Sequence, residues 1–371
     1  MKNVVKKHII FRVLVLLIAG TFLFVVSKVN FDSGDDLKYI YGSFIGQKSP
    51  YTGIIEVWNI DSFESGIKSK CSFLEEQAKK FQRRYKGVSV LVRSLTENEC
   101  LNSLKTGECP DIISCSYGVS NKIREYLRPI NLQTNNSLVF ENFLNAGKSQ
   151  NDEIYGLAWC VGFYALISTK AKLEKAGKEI ENVKLNEIAH SSGYEYKSGK
   201  KQKYSKSLIF GVGDYLMPKM ALKAYNKARS IQKYESENDE IILKSQNSAY
   251  TSFLSNNATI LLGTHRDVFK MLSREENGKA SDVVYLPLTN WTDLVQFSFV
   301  CKIENAERRK MAEKFAIFLT EIESQESLEK IGMFPVIEVK NTQYKGIMRD
   351  IILENFGNYE LKNVFEKWID N

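Results

Sequence analysis

Two carboxylates and a hydroxyl fall within four residues of the segment VWNIDSFESG, Val57–Gly66: Asp61, Ser62 and Glu64, with Phe63 among them and no Lys or Arg in the segment. Carboxylates without a local cation are suited to accept hydrogen bonds from vicinal hydroxyls, the donors that a sugar presents in quantity. Turns also favour Asp, Ser and Gly for backbone reasons alone, so a surface turn with solvated acids fits the same residues. His265-Arg266-Asp267 is the triplet whose composition comes nearest to catalysis. No Ser or Cys elbow accompanies it as a nucleophile. Distant carboxylates leave a glycosidase pair open in principle, but structural or ligand-contact use is the expectation, and no enzyme activity is expected. The stretch GVGDY, Gly211–Tyr215, lacks the Lys-Ser/Thr and the full glycine spacing of a phosphate loop. Six cysteines (71, 100, 109, 115, 160 and 301) form no C-x-x-C pair, and there are only three His, so neither a zinc site nor any cofactor is expected. An exported chain with an even cysteine count leaves disulfides open; Cys109 and Cys115 read as small core residues.

The elements that must position these groups follow an α/β grammar. GIIEVWNI reads as a strand, and Ser72 with Glu75 matches a capping box. Leu74, Ala78, Phe81 and Tyr85 then share one helical face, closed by Gly87. VSVLVRSL is the next strand, Glu97–Lys105 a short helix and PDIISCS a third strand. That alternation implies a parallel sheet with crossover helices. Further on, YGLAWCVGFYALIST reads as one long extended stretch followed by a helix, KAKLEKAGK. A hairpin turning at Lys197–Lys200, helices over Pro218–Tyr225 and Ser245–Ser255, a strand-to-helix unit in NATILLGTHRDVFKML, strands in SDVVYLPL and LVQFSFVCK, and a helix over Ala306–Ser324 complete the pattern.

Charge narrows the partners. The formal net charge is +7, of which Lys2, Lys6, Lys7 and Arg12 supply four before any acid appears, so nothing in the remainder points to nucleic acid. The same basic start precedes an apolar run, Val13–Val26, of the length of a signal h-region and short for a bilayer span. Residues 1–27 are therefore expected to be a signal peptide or an uncleaved N-terminal membrane anchor. Ile18-Ala19-Gly20-Thr21 is similar to a lipoprotein box with Thr where the lipidated Cys would stand, which leaves no lipid anchor. In either case the body faces outward, after a linker over 28–52.

Taken in order, these landmarks resemble the extracellular solute-binding proteins of bacterial ABC importers, in the sugar-type family with the maltose-binding-like fold. The resemblance rests on IIEVWNI with FLEEQAKKFQRRYKGVSVLV, LKTGECPDIIS, LRPIN, EIYGLAWCVGFYALISTKAKLEKAG and AERRKMAEKFAIFLTEIESQESLEKIGMFPV, and it spans roughly 53–339. Ala158 stands where that family usually has Pro, and Ser168-Thr169 where it has Tyr-Asn. The resemblance implies an α/β protein of periplasmic-binding-protein-like type II, with two α/β lobes joined by a multi-strand hinge. Crossings are expected near Leu157–Cys160, Leu286–Trp291 and Gly332–Pro335, which makes lobe I 53–157 and 292–331, and lobe II 158–291 and 332–371.

That frame assigns the candidate ligand contacts. Ligands of open α/β sheets sit beyond the C-terminal strand ends, which places Asp61, Ser62, Phe63 and Glu64 at the cleft, with Ser116 and Tyr117 after the third strand. Trp159 and Tyr164 fall at the first crossing, Trp291 and Asp293 at the second. An indole there offers a flat apolar plate to a pyranose face, although a Trp at a junction also serves as core. Asp214 and Tyr215, after a lobe II strand, and His265 and Arg266 complete the set. The implied function is delivery of a small polar solute, carbohydrate by default, to ABC permease subunits by a monomer at the outer face of the cell membrane, anchored or secreted. A two-lobed sensor coupled to a membrane kinase and a glycan-acting enzyme are the rivals.

Overall fold

The computed structural model describes residues 51–132, 139–177, 179–180, 206–210, 215–218, 242–243, 246–255, 258–288, 291–340 and 356–365. The expected leader, most of the linker, the hairpin at Lys197–Lys200 and all but the start of the helix over Pro218–Tyr225 lie outside them, as does Asp214.

β1 (Gly53–Ile60) buries Ile55, Val57, Trp58, Asn59 and Ile60, the two-sided burial of a strand inside a parallel sheet. It pairs in parallel with β2 (Val88–Leu95) and β3 (Ile112–Ser116). The helix between β1 and β2, α1 (Lys70–Arg84), buries Phe73, Leu74, Ala78 and Phe81, as its period demands. It begins earlier than expected, because the Ser69 side chain accepts from the Ser72 N–H and so caps the helix one turn before the Ser72–Glu75 box. A capping box forms instead at Thr96 and Glu99, opening α2 (Glu97–Lys105).

Between β3 and β4 (Gly156–Val161) the described residues include the short helices α3 (Ser120–Ile123) and α4 (Glu141–Ala146). β10 (Val295–Val300) lies antiparallel between β3 and β4, giving the first sheet the order β2-β1-β3-β10-β4. The second sheet has the order β7-β6-β8-β5-β9. Its strands are β5 (Tyr164–Thr169), β6 (Lys206–Phe210), β7 (Ile242–Leu243), β8 (Ala258–Thr264) and β9 (Val283–Leu288). Helices α5 (Lys170–Ala176), α6 (Gln246–Leu254) and α7 (His265–Glu276) accompany it. α8 (Ala306–Phe318) returns to the first sheet, where Phe315 and Phe318 meet the Phe81 ring edge-on at 5.2 and 5.5 Å. The single helix expected over 306–324 is broken; a separate α9 covers Ile322–Glu326.

Each sheet with its helices forms one α/β lobe. The long run YGLAWCVGFYALIST divides between them. Its first half pairs with β10 through Val161, and its second half pairs with β8 and β9 from Tyr164. The first crossing is therefore at Gly162–Phe163, not Leu157–Cys160, because β10 supplies hydrogen bonds to the strand up to Val161. The second crossing lies between Leu288 and Val295. At the third, Val161 and Phe334 exchange N–H···O bonds of 3.0 Å each way, and Gly162 N–H donates to Leu294 O at 2.7 Å. These bonds lash the three crossings into one hinge. The C-terminal residues depart from the expected division. Within 356–365, Val364 N–H donates to Ala146 O at 2.9 Å and Asn142 donates to Phe356 O and Tyr359 O, so the segment packs on the first lobe.

Candidate functional site

The loop after β1 stands on a buried polar network. Gln296, on β10, donates from its amide to Ser114 Oγ at 3.1 Å, to Ile60 O at 3.2 Å and to Asn59 Oδ1 at 3.4 Å, and its Oε1 accepts from Ser62 Oγ at 3.2 Å. Lys70, at the start of α1, is buried. Its ammonium donates to Phe63 O at 2.7 Å and to Gln296 Oε1 at 3.1 Å, and stands 3.6 Å from the Phe63 ring centre. Burial pushes this ammonium down to about 8, opposed by the nearby Cys160, Asp61, Cys115 and Glu64. Asn59, Lys70, Ser114 and Gln296 thus hold the acidic loop in place, and none of the four was expected from the sequence. Polar side chains alternating within apolar strands were the available signal for Ser114 and Gln296, since a buried polar group requires a partner. For Lys70 there was none, because Lys at a helix start reads as solvated.

The loop then meets the second lobe. Glu64 forms an ion pair with Arg266 at the start of α7. Ser65 O is 3.1 Å from His265 Nε2, and His265 Nδ1 accepts from Phe163 N–H at 3.4 Å. Two contacts thus set the imidazole across the gap, and burial holds it down at about 4. Burial raises the Tyr215 phenol well above the ordinary value, opposed by the Glu64 backbone that faces it. Phe269 stacks on Phe334 with ring centres 6.3 Å apart and planes 10° from parallel.

A second cluster adjoins it. The Tyr164 hydroxyl donates to Asp293 Oδ2 at 3.1 Å, which also accepts from Met217 N–H at 3.3 Å. The Tyr164 ring meets Trp291 edge-on at 5.4 Å and Tyr215 at 6.2 Å. Tyr215 therefore belongs to both clusters. Of the expected residues, Glu64, Tyr164, Tyr215, His265, Arg266, Trp291 and Asp293 gather at the lobe junction, and Asp61, Ser62 and Phe63 stand on its first-lobe side. Asp61 accepts from Asn59 at 2.9 Å and is exposed.

Trp159 does not join them. It has no exposed surface; its indole stacks on Phe73 with planes 3° apart at 5.3 Å, and its N–H donates to Ser114 Oγ at 3.1 Å. It is core of the first lobe, because β4 runs wholly within that lobe. Ser116 and Tyr117 are buried too, and the Tyr117 hydroxyl donates to Lys362 O at 2.9 Å, where the C-terminal segment covers it.

Asp293 and His265 yield a pH prediction. Burial pushes the Asp293 carboxyl up from 3.8 to about 6, against the Met217 N–H and the Tyr164 hydroxyl. Its contribution to stability is complete below pH 3.8 and is lost as pH rises through about 6. His265, lowered from 6.5 to about 4, has the opposite sign: its contribution is complete above pH 6.5 and is lost as pH falls through about 4. The two oppose each other in the native chain. Asp293→Asn leaves the histidine alone, so the variant is expected to lose stability more steeply than the native chain as urea titrations move from pH 6.5 to 4. Parallel profiles would contradict the buried, charge-disfavouring setting of Asp293.

No protein-family model matches the chain, and no curated protein matches it by sequence. Solved structures do. The GacH receptor of Streptomyces glaucescens, solved unliganded and with acarbose, is similar with a TM-score of 0.55 at 13% identity, over 78% of this chain and 81% of that one. The MalE domain of Bdellovibrio bacteriovorus bound to maltotriose gives 0.51 at 17% identity, over 77% and 81%. Trichodesmium IdiA (FutA), in complex with iron and citrate, gives 0.56 at 14% identity, over 84% and 94%. The chain has the type II periplasmic-binding-protein fold. At these identities the likeness extends to the fold alone.

Proposed function

We propose that this protein is an extracytoplasmic receptor that captures a polar solute, carbohydrate first, between its lobes and presents the closed form to an ABC importer. The observation carrying this reading is the meeting of polar and aromatic side chains from both lobes at one junction: Glu64 and Ser65 against Arg266, His265 and Tyr215, beside Tyr164, Trp291 and Asp293. Only a closed arrangement brings these groups together, so a solute touching both sides favours that state by its differential contacts. The division we adopt follows the sheets, with the boundary at Gly162–Phe163. A signal peptide or anchor over 1–27 and an outward-facing body belong to the same proposal, as do the permease partners and the monomeric state.

Binding is favoured over glycan hydrolysis because the junction acids are already engaged: Glu64 by Arg266, and Asp293 by Tyr164 and Met217. Ligands of the similar structures guide the screen. Maltodextrins, acarbose-like pseudo-oligosaccharides, monosaccharides and ferric citrate are tested by thermal shift, since a solute that binds only the folded chain raises its melting temperature. A shift with one or more saccharides is the expected result. A shift with ferric citrate alone would overturn the carbohydrate assignment, and no shift with any of them would overturn the reading.

For the saccharide found, Trp291→Ala is expected to weaken affinity by about 1.5–3 kcal/mol, roughly ten- to a hundredfold, the usual worth of a buried aromatic contact. Titration calorimetry measures it. Unchanged affinity would remove Trp291 from the site.

A further inference from the structure

Cys301 directly follows β10, and its N–H donates to Asp111 O at 2.9 Å, extending the β3–β10 ladder by one pair. Cys109 lies two residues before Asp111 on the facing segment, separated from it by Pro110. The two sulfurs are near enough for each to perturb the other's ionisation. Cys109 is exposed, whereas Cys301 has no exposed surface. We propose that Cys109 and Cys301 are a redox pair that closes to a disulfide when a low-molecular-weight disulfide or an exported thiol–disulfide oxidoreductase supplies the oxidising equivalents. In the cell this depends on the outward-facing body assigned above; the chemistry itself is tested on the purified chain.

The steps follow from the unequal settings of the two sulfurs. The neighbouring Cys301 holds the Cys109 thiol below its ordinary value, while the same contact and burial push Cys301 up. Burial raises Cys71, Cys100, Cys115 and Cys160 as well. Cys109 is thus both the accessible sulfur and the better thiolate. Its thiolate attacks the incoming disulfide RSSR, forming Cys109–S–S–R and releasing one thiolate RS⁻. Cys301 then gives up its proton and attacks the Cys109 sulfur, releasing the second RS⁻. The protein loses two hydrogens and two electrons, and RSSR becomes two RSH.

Position determines the consequence. β3 runs from Ile112 toward the cleft end at Ser116, and β10 runs away from the cleft toward Val300. The pair therefore sits at the rim of the first sheet opposite the junction, where a bond would tie the segment before β3 to the end of β10 across a long stretch of sequence. Constraining so long a loop stabilises the folded chain without touching Glu64, Arg266 or Trp291.

The full chain is equilibrated in glutathione buffers of graded oxidation and examined by intact mass and non-reducing peptide mapping. The expected product has lost the mass of two hydrogens, carries a Cys109–Cys301 cross-linked peptide, and melts several degrees above the reduced chain. Cys301→Ser is expected to stop at a glutathionyl adduct on Cys109. Cys109→Ser is expected to show neither bond nor adduct, and no melting shift on oxidation. A cross-link between other cysteines, or a native chain that stays reduced or keeps a lasting adduct at Cys109 under oxidising buffer, would overturn the proposal. The saccharide screen is independent of this result, so either finding stands or fails alone.

Discussion

Trp159→Ala is expected to lower the free energy of unfolding by about 3–5 kcal/mol, the range for a large aromatic removed from a close-packed interior. The indole is sandwiched within the first lobe, flat against Phe73 on α1 and hydrogen-bonded to Ser114 on β3. Its backbone carbonyl accepts from Gln325 at 2.8 Å, and Gln325 also accepts from Val336 N–H at the third crossing. Truncation therefore opens a cavity beneath the network that carries the acidic loop and takes one partner from Ser114. Denaturant titration reads this as a lower midpoint with unchanged slope. Saccharide affinity of the folded fraction should change far less than in Trp291→Ala. The reverse outcome, intact stability with lost affinity, would return Trp159 to the binding surface and contradict its burial.

Gly162→Ala is the second large effect. A Cβ at Gly162 would come within 2.4 Å of His265 Cε1 and 2.7 Å of its Nδ1, closer than real contacts allow. The imidazole has little room to retreat. Phe163 N–H holds its Nδ1, Ser65 O faces its Nε2, and the Phe269 and Phe334 rings stand edge-on to it at 6.3 and 5.8 Å. The strain of overpacking is expected to cost about 1–3 kcal/mol. Because His265 touches the first lobe through Ser65, the added methyl acts as a wedge in the hinge. Saccharide affinity should drop at least tenfold, with the on-rate retained and the off-rate raised. Wild-type stability and affinity in this variant would mean that the His265 contact is not part of the closed junction.

Much of the fold was legible because its causes are local. The apolar runs of β1, β3 and β8, the 3.6-residue spacing of Leu74, Ala78 and Phe81, and Gly87 after the first helix identify elements from neighbours in sequence. Where reading failed, the deciding partner was distant. The stretch from Tyr155 to Thr169 looks uniformly extended, and only β10 on one side and β8 with β9 on the other divide it at Gly162–Phe163. The Ser72–Glu75 box was chemically sound, yet Ser69 won the cap because the loop tied down by Lys70 enters the helix earlier.

The candidate site divides in the same way. Sequence by itself determined that acids follow the first strand, that Tyr164 and Trp291 stand close to strand-to-strand transitions, and that the chain alternates strand and helix. These properties reside in residue type and spacing. Tertiary structure alone decided which of them face one another: Glu64 meets Arg266, Tyr164 meets Asp293, Trp159 sinks into one lobe while Trp291 lies at the junction, and buried Gln296 and Lys70 brace the loop. The reason is physical. Burial and pairing of a side chain depend on which strand lies beside it, and in a sheet ordered β2-β1-β3-β10-β4 that neighbour stands as far off in sequence as Val300 is from Ile112.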